Sequence, residues 1–381
     1  MLSFGRENTS LIAKWWRNID KQILFLFIFL LLLGLFFSFS STTSVMSEKM
    51  NKQTYFFFIK HLIFVSISLF LIFAISIQEK NKLIKVLTYL FIVSIVLLFL
   101  TLVVGEEIKG SRRWIAFDPF PRFQPVELLK PLFIIFVAKI IVLKEDKNVY
   151  RRYFYSFIIL FLIVTILINQ PDLGQTLLLM LTWITMIFVS GFNMFILSLL
   201  GLVFVIIISL LIFFLPGKFG YVFLRIKTFL DPKAGDNFQS QKALEAIKQG
   251  GLTGQGMGEG ILKDKVPEAH TDYIIAVISE EFGAIFVLFI VFIFLFIGYK
   301  VLNKVFLGND EFLKLALVGL VSLLIIQTFI HIGVNSRLFP TTGMTLPFLS
   351  YGGSSLIGSS IIAGIILNFT RKDSMRYFKN E

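Results

Sequence analysis

Apolar residues in this chain come in long unbroken blocks separated by short polar stretches. Ten blocks are read, near 22–40, 61–77, 84–104, 126–143, 154–169, 174–190, 193–215, 272–298, 312–334 and 352–369. Blocks of roughly 17–25 apolar residues have the length of an α-helix crossing about 30 Å of hydrocarbon. They do not alternate as the strands of an outer-membrane barrel would. The pattern predicts an all-α, polytopic membrane protein of about ten transmembrane helices, forming a single domain over 1–381. The run from 174 to 215 is nearly continuous, and Gly191 with Asn193 supplies its turn. About twenty polar and basic residues precede the first block, which lacks a small-residue cleavage site and reads as a retained span.

Composition agrees. The 381 residues are 56% hydrophobic and 16% charged, with a mean hydropathy of +0.83. Soluble domains carry roughly 25% charged residues, so a soluble globular enzyme is excluded. The net charge of +12 does not require nucleic acid, because cytoplasmic loops collect Lys and Arg. Lys14, Arg17, Lys21, Lys80, Lys82, Lys85, Arg151, Arg152, Lys300, Lys304, Arg371, Lys372 and Arg376 all fall on one side of a ten-span chain. The positive-inside rule makes that side the cytoplasm, with both termini inside. There is no Cys, which removes disulfides, thiolate metal sites and Cys nucleophiles. Three His (His61, His270 and His331) leave little for a multi-His metal site.

The opposite side holds the segments near 41–60, 105–125, 169–173, 216–271 and 335–351, rich in Gly, Pro and acids. Arg112 and Arg113 break the charge rule there, with Lys109 and Arg122 nearby. They read either as a solvated loop balanced by Glu106, Glu107 and Asp118, or as an anion site, since paired guanidiniums suit a phosphate or pyrophosphate. The long segment 216–271 opens at Arg225-Ile226-Lys227, through Asp231-Pro232, and continues with a short amphipathic helix over Gln239–Gly250. It then places five glycines in the nine positions 250–258. Without a strand-then-helix context these are a weak phosphate cradle, and a hinge or lid is the milder reading.

Asp272 stands where this segment enters the eighth block. It is either an ordinary helix N-cap or a half-desolvated carboxylate suited to general-base work. Glu280 and Glu281 follow within the span, where adjacent acids require a polar interior or partners. In the fourth block Pro125 suits the first helical turn, and Glu127 and Lys130 share a face three residues apart. They form either a structural ion pair or part of the polar cavity of Asp272. Asp172 begins another span after a Gln170-Pro171 turn. The stretch 339–355, containing Ser350 and Gly352, breaks the helical pattern with prolines, glycines and hydroxyls. Such backbone is tolerated at membrane depth only where protein or water satisfies it, so it should wall a cavity.

Five stretches occur in a fixed order: Gly110-Ser-Arg-Arg-Trp-Ile, Gln170-Pro-Asp-Leu-Gly, Pro267-Glu-Ala-His-Thr-Asp-Tyr-Ile, Glu280-Glu-Phe-Gly and Leu346-Pro-Phe-Leu-Ser-Tyr-Gly-Gly-Ser-Ser. From about residue 105 onward the chain resembles the SEDS family (shape, elongation, division and sporulation), which includes FtsW and RodA. The forms at 267–273 and 341–355 are nearer FtsW. The resemblance implies a peptidoglycan glycosyltransferase that polymerises lipid II outside the bacterial cytoplasmic membrane during cell division. It implies a class B penicillin-binding protein transpeptidase and other divisome or elongation proteins as partners. It assigns the essential aspartate to Asp272. Arg112, Arg113, Glu127, Lys130, Asp172, His270, Glu280, Glu281, Ser350 and Gly352 stand beside it as candidate substrate-binding residues. Val126 departs from the family pattern, which usually has Ser there.

Glycan extension needs a base for an acceptor hydroxyl and cations for a departing pyrophosphate. Asp272 suits the first, and Arg112, Arg113 and Lys130 the second. A divalent cation (Mg or Mn) held by Asp272, Glu127 or Asp172 is conceivable, though no spacing demands one. The rival reading is a flippase or transporter of a lipid-linked precursor, because intramembrane acids and broken helices also mark transport pathways. The gathering of polar motifs on one face favours the enzyme.

Overall fold

The computed structural model describes residues 10–42, 56–108, 110–117, 120–143, 148–214, 216–231 and 237–372. Lys109, Asp118, Pro232 and Arg376 lie outside them. A short amphipathic helix α1 (Leu11–Asn18), capped by Ser10, leads into α2 (Lys21–Thr42). Then follow α3 (Phe56–Ile77), α4 (Lys80–Val104), α5 (Pro125–Ile141), α6 (Val149–Asn169), α7 (Leu173–Val189) and α8 (Met194–Phe214). The chain continues through α9 (Pro216–Leu230), α10 (Phe238–Gly250), α11 (Ile274–Leu307), α12 (Glu311–Asn335) and α13 (Gly353–Phe369). Ten of these helices overlap the ten expected spans, most within four residues at each end. Among the described residues, six of them are long and apolar enough to cross a membrane by length and composition. The protein is a multi-pass helical membrane protein.

Position in the bundle follows from which faces are apolar. α5, α12 and α13 are buried around most of their circumference and form its centre. α3 and α4 turn side chains such as Phe70, Tyr89 and Val103 outward, as suits helices solvated by lipid on one side. One end of the bundle is tied by basic side chains. Lys80 pairs with Asp310 at 3.0 Å and Lys304 with Asp20. Arg371 donates to the carbonyls of Ser76, Ile77 and Gln78, which closes the last turn of α3.

The other end carries structure that the apolar pattern does not announce. Between α4 and α5 lies an antiparallel three-stranded sheet, β1 (Glu106–Ile108), β2 (Ser111–Phe117) and β3 (Phe120–Phe123). Further along the chain, α11 is interrupted at Gly283 (φ 81°, ψ 173°), a conformation open to glycine and costly for other residues. The glycine-rich stretch fills the break. Gln255 and Gly256 N–H donate to the Glu280 and Glu281 carbonyls, while Ala284 and Ile285 N–H donate to Gly251 and Leu252. A Cβ on Gly250 would sit 1.9 Å from the Ser279 oxygen, and one on Gly283 would sit 2.2 Å from that of Leu252. The hinge or lid reading is thereby corrected. Its backbone is docked, and these amides are spent on protein carbonyls rather than presented to a phosphate.

Candidate active site

The polar motifs converge at this structured end. α11 starts at Ile274, and its N-cap position is Tyr273 rather than Asp272. The buried Ala276 N–H donates to the Tyr273 carbonyl at 3.0 Å and, across the bundle, to Asn335 Oδ1 at 3.3 Å. Asn335 Nδ2 donates to the Asp272 carbonyl at 3.0 Å. Tyr273 makes no side-chain capping bond at that position, and Asn335 serves one amide of the first turn. Asp272 is half-buried and lies against the 336–352 segment, where a Cβ on Gly343 would come within 3.3 Å of Oδ2. Thr342 and Met344 abut Gly174 at the start of α7. Ser350 Oγ donates to the Thr271 carbonyl at 2.7 Å, and Tyr351 N–H to that of His270 at 2.9 Å. The broken segment thus walls the Asp272 turn, and protein groups satisfy its backbone as the membrane requires.

A buried polar chain leads from the sheet into the bundle. Arg113 donates to the carbonyls of Gln170 and Pro171 and faces Asp172 Oδ2 at 3.4 Å. That contact is an ion pair without a hydrogen bond. Asp172 Oδ1 caps α7 by accepting from Gln175 N–H. Gln175 Nε2 donates to Glu127 at 2.8 Å, Glu127 pairs with Lys130 at 2.8 Å, and Lys130 donates to Gln327 at 3.2 Å. Gln327 passes the chain to the Thr345 carbonyl at 2.9 Å. Glu127 and Lys130 are 3% and 1% exposed, so the pair expected from their spacing is real and dry. Burial raises the Asp172 carboxyl above the usual carboxylate range against the pull of Arg113, and the Glu127 charge adds to the rise.

Arg112 and Arg113 do not form one clamp. They are successive residues of β2, and successive strand side chains point to opposite faces. Arg112 is exposed and pairs with Glu107 at 3.3 Å, and Arg122 pairs with Glu106 at 2.8 Å, as the balanced-loop reading holds. Arg113 turns inward. The cation that joins it is Arg225 on α9, which sequence reasoning passed over. Arg225 donates to the Thr341 carbonyl at 3.0 Å. Burial, then the neighbouring Arg113 charge, push its guanidinium below the ordinary value, while Asp172 offsets part of this. No spacing signal links residues 112 positions apart, so the sequence could not reveal that pair.

Glu280 and Glu281 are fully buried and engaged. Glu280 accepts from Leu262 and Lys263 N–H, both at 2.7 Å. Glu281 accepts from Lys263 Nζ and Ser40 Oγ at 2.5 Å, and from Gly258 N–H at 3.2 Å. They fasten the long loop to α11 and α2 and lie apart from the Asp272 turn. Lys263, the buried partner, was also missed. His270 stacks 4.8 Å from Phe57 and 5.7 Å from Tyr351; burial pushes its imidazole down, partly offset by Glu268. Gly352 occupies the N-cap of α13. A divalent cation finds no ready set: among the described residues no three His, Asp or Glu converge. Glu127 and Asp172 already face Lys130 and Arg113.

A polytopic helical bundle with a buried polar chain and a half-buried carboxylate at one end is the class these features define. The family model for FtsW, RodA and SpoVE, described as a cell cycle protein, matches residues 21–375, and the chain belongs to that family. It is 32% identical over 371 residues to a probable peptidoglycan glycosyltransferase FtsW of Caulobacter vibrioides, covering 97% of this chain and 94% of that one. It is 34% identical to the probable FtsW of Haemophilus ducreyi, over 87% of this chain and 85% of the other. In fold it resembles a chain from a peptidoglycan synthase complex that coordinates polymerization and crosslinking. That match has a TM-score of 0.75 at 24% identity and covers 95% and 99% of the two chains. RodA of Thermus thermophilus superposes with a TM-score of 0.68, also at 24% identity, over 96% and 99%.

Proposed function

We propose that this protein is a peptidoglycan glycosyltransferase of the bacterial cytoplasmic membrane that polymerises lipid II at the outer face during cell division. The observation that carries the reading is the half-buried Asp272, held beside Gly343 with the inward cations Arg113 and Arg225 on the same end of the bundle. The curated relatives bear that activity in their names over nearly their whole length. Depth supports it. α12 runs from Asp310, paired at the basic end, to Asn335, bonded to Asp272. Its 25 residues span about 37 Å at 1.5 Å each. That is slightly more than the roughly 30 Å of hydrocarbon, so Asp272 falls at headgroup level, where a lipid pyrophosphate lies.

In the reaction, Asp272 takes the proton from an acceptor sugar hydroxyl. The oxygen bonds to the donor's anomeric carbon as its bond to the lipid pyrophosphate breaks. Arg113 and Arg225 offset the charge on the departing pyrophosphate, with Lys130 deeper in the same polar chain. The flippase alternative would need mobile polar groups at the basic end, where Lys80, Lys304 and Arg371 are engaged by Asp310, Asp20 and backbone carbonyls. A class B penicillin-binding protein is the proposed partner, to cross-link the new strands.

Purified protein, wild type and Asp272→Ala, incubated with labelled lipid II should give glycan polymer only with wild type. Absence of polymer from well-folded wild type, with or without the transpeptidase, would reject the enzyme reading. Orientation is tested separately. Cysteine at exposed Leu252 should react with an impermeant thiol reagent from outside and cysteine at exposed Asn303 should not; the reverse would move the site to the cytoplasm.

A further inference from the structure

Three buried polar side chains lie on one stripe of the otherwise apolar α12. Gln327, His331 and Asn335 are spaced four apart, so they face the same way on a helix. Each is at most 2% exposed. Each meets a different part of the proposed site. Gln327 Nε2 donates to the Thr345 carbonyl at 2.9 Å. His331 Nδ1 lies 2.7 Å from the Met344 carbonyl, so that nitrogen carries the proton. Asn335 bonds the Asp272 carbonyl and the Ala276 N–H together. Burying three polar groups in a span is costly unless they are satisfied, and packing alone gives no reason for them.

We infer that Gln327, His331 and Asn335 are positioning residues forming a three-rung ladder that sets the register between the 341–345 segment and the Asp272 turn. The inference rests on the glycosyltransferase reading for its effect on rate. The rungs reach the Thr345 and Met344 carbonyls on one side of the Asp272–Gly343 contact and the Asp272 carbonyl on the other, in two segments outside the helices, and Asn335 also holds the first turn of α11 at Ala276. Backbone in such segments is free to slide by a fraction of a residue unless something outside them fixes it. A rigid helix with donors 4 residues apart is such a ruler. Among the described residues the His331 bond is the one from Nδ1 to the Met344 carbonyl, while Nε2 is buried, so the ladder uses the Nδ1–H.

The test uses full-length protein and two readouts. For catalysis, His331→Leu removes the middle rung, while His331→Asn keeps a donor where Nδ1 stands. His331→Leu should lower kcat about 10- to 100-fold, the scale of a misplacement near 1 Å, with KM for lipid II within about twofold. His331→Asn should stay within about threefold of wild type. For register, cysteines are placed at Gly174 and Thr342 in this otherwise Cys-free chain. A Cβ on Gly174 would lie 2.9 Å from the Thr342 Cβ, near the roughly 3.8 Å of a disulfide, so a small shift allows a bond. Oxidative cross-linking in native membranes should be at least about tenfold slower with His331→Leu or Gln327→Leu and unchanged with His331→Asn. Normal kcat and normal cross-linking in both Leu variants would overturn the ladder. Equal loss in His331→Asn and His331→Leu would also overturn it and give the ring itself the role. If wild type makes no polymer but the cross-linking pattern holds, the function fails and the ladder stands.

Discussion

Removing the ammonium of Lys263 should loosen the long loop more than any surface change could. Lys263 is 6% exposed and Glu281 0%, and their 2.5 Å contact joins loop to helix. Lys263→Met leaves a buried carboxylate with only Ser40 Oγ and Gly258 N–H. Breaking one partner out of a buried pair costs about 3–5 kcal/mol. At about 1.4 kcal/mol per factor of ten, local opening should rise at least about 100-fold. The Gln255 and Gly256 amides, which donate to the Glu280 and Glu281 carbonyls, report it directly. Their hydrogen exchange, followed by mass spectrometry in nanodiscs, should accelerate by that factor in Lys263→Met and in Glu281→Met. The double variant should recover most of the protection, because removing both charges together is often close to neutral. Unchanged exchange in Lys263→Met, or a double variant worse than either single one, would refute the reasoning.

Asp272→Asn should keep the thermal midpoint, since Asn matches Asp in size and caps a helix about as well, while polymerisation falls about 10²–10⁴-fold; wild-type rates in that variant would end the general-base role. Arg113→Ala should destabilise the protein by a few kcal/mol, because it strands Asp172 in a buried site, whereas the exposed Arg112→Ala should stay within about 0.5 kcal/mol; paired thermal melts check both. The Asp172 carboxyl is raised in the fold, so its protonated form is favoured there. The stability it contributes is complete below the unfolded value of about 4 and is lost as pH rises through the folded value. Asn caps as well as Asp, so Asp172→Asn should gain on wild type as pH climbs from about 4 toward neutrality; a gap that is flat or reversed across that range would contradict the desolvation argument.

The spans were legible because a membrane helix announces itself by apolar length alone, whatever it packs against. The Glu127–Lys130 pair was legible because both partners sit within one helical turn. The sheet at 106–123 was not: its strands are short and carry arginines and two of the chain's acids. The roles of Arg113, Arg225 and Lys263 depend on residues tens of positions away, and nothing local distinguishes them from solvated loop cations. The α12 stripe was findable, since three polar residues recur every fourth position in an apolar span. Only the structure supplies what they hold.

The break at Gly283 divides α11 into mechanically different parts. Below it, the helix belongs to the membrane bundle. Above it, residues 274–282 are bonded to the long loop by the Gln255 and Gly256 amides, by Lys263 and by the backbone around Leu262, and Asp272 rides at their upper end. Asp272 is therefore fastened on two sides, to the loop through these contacts and to the membrane helices through Asn335 on α12 and Ser40 on α2.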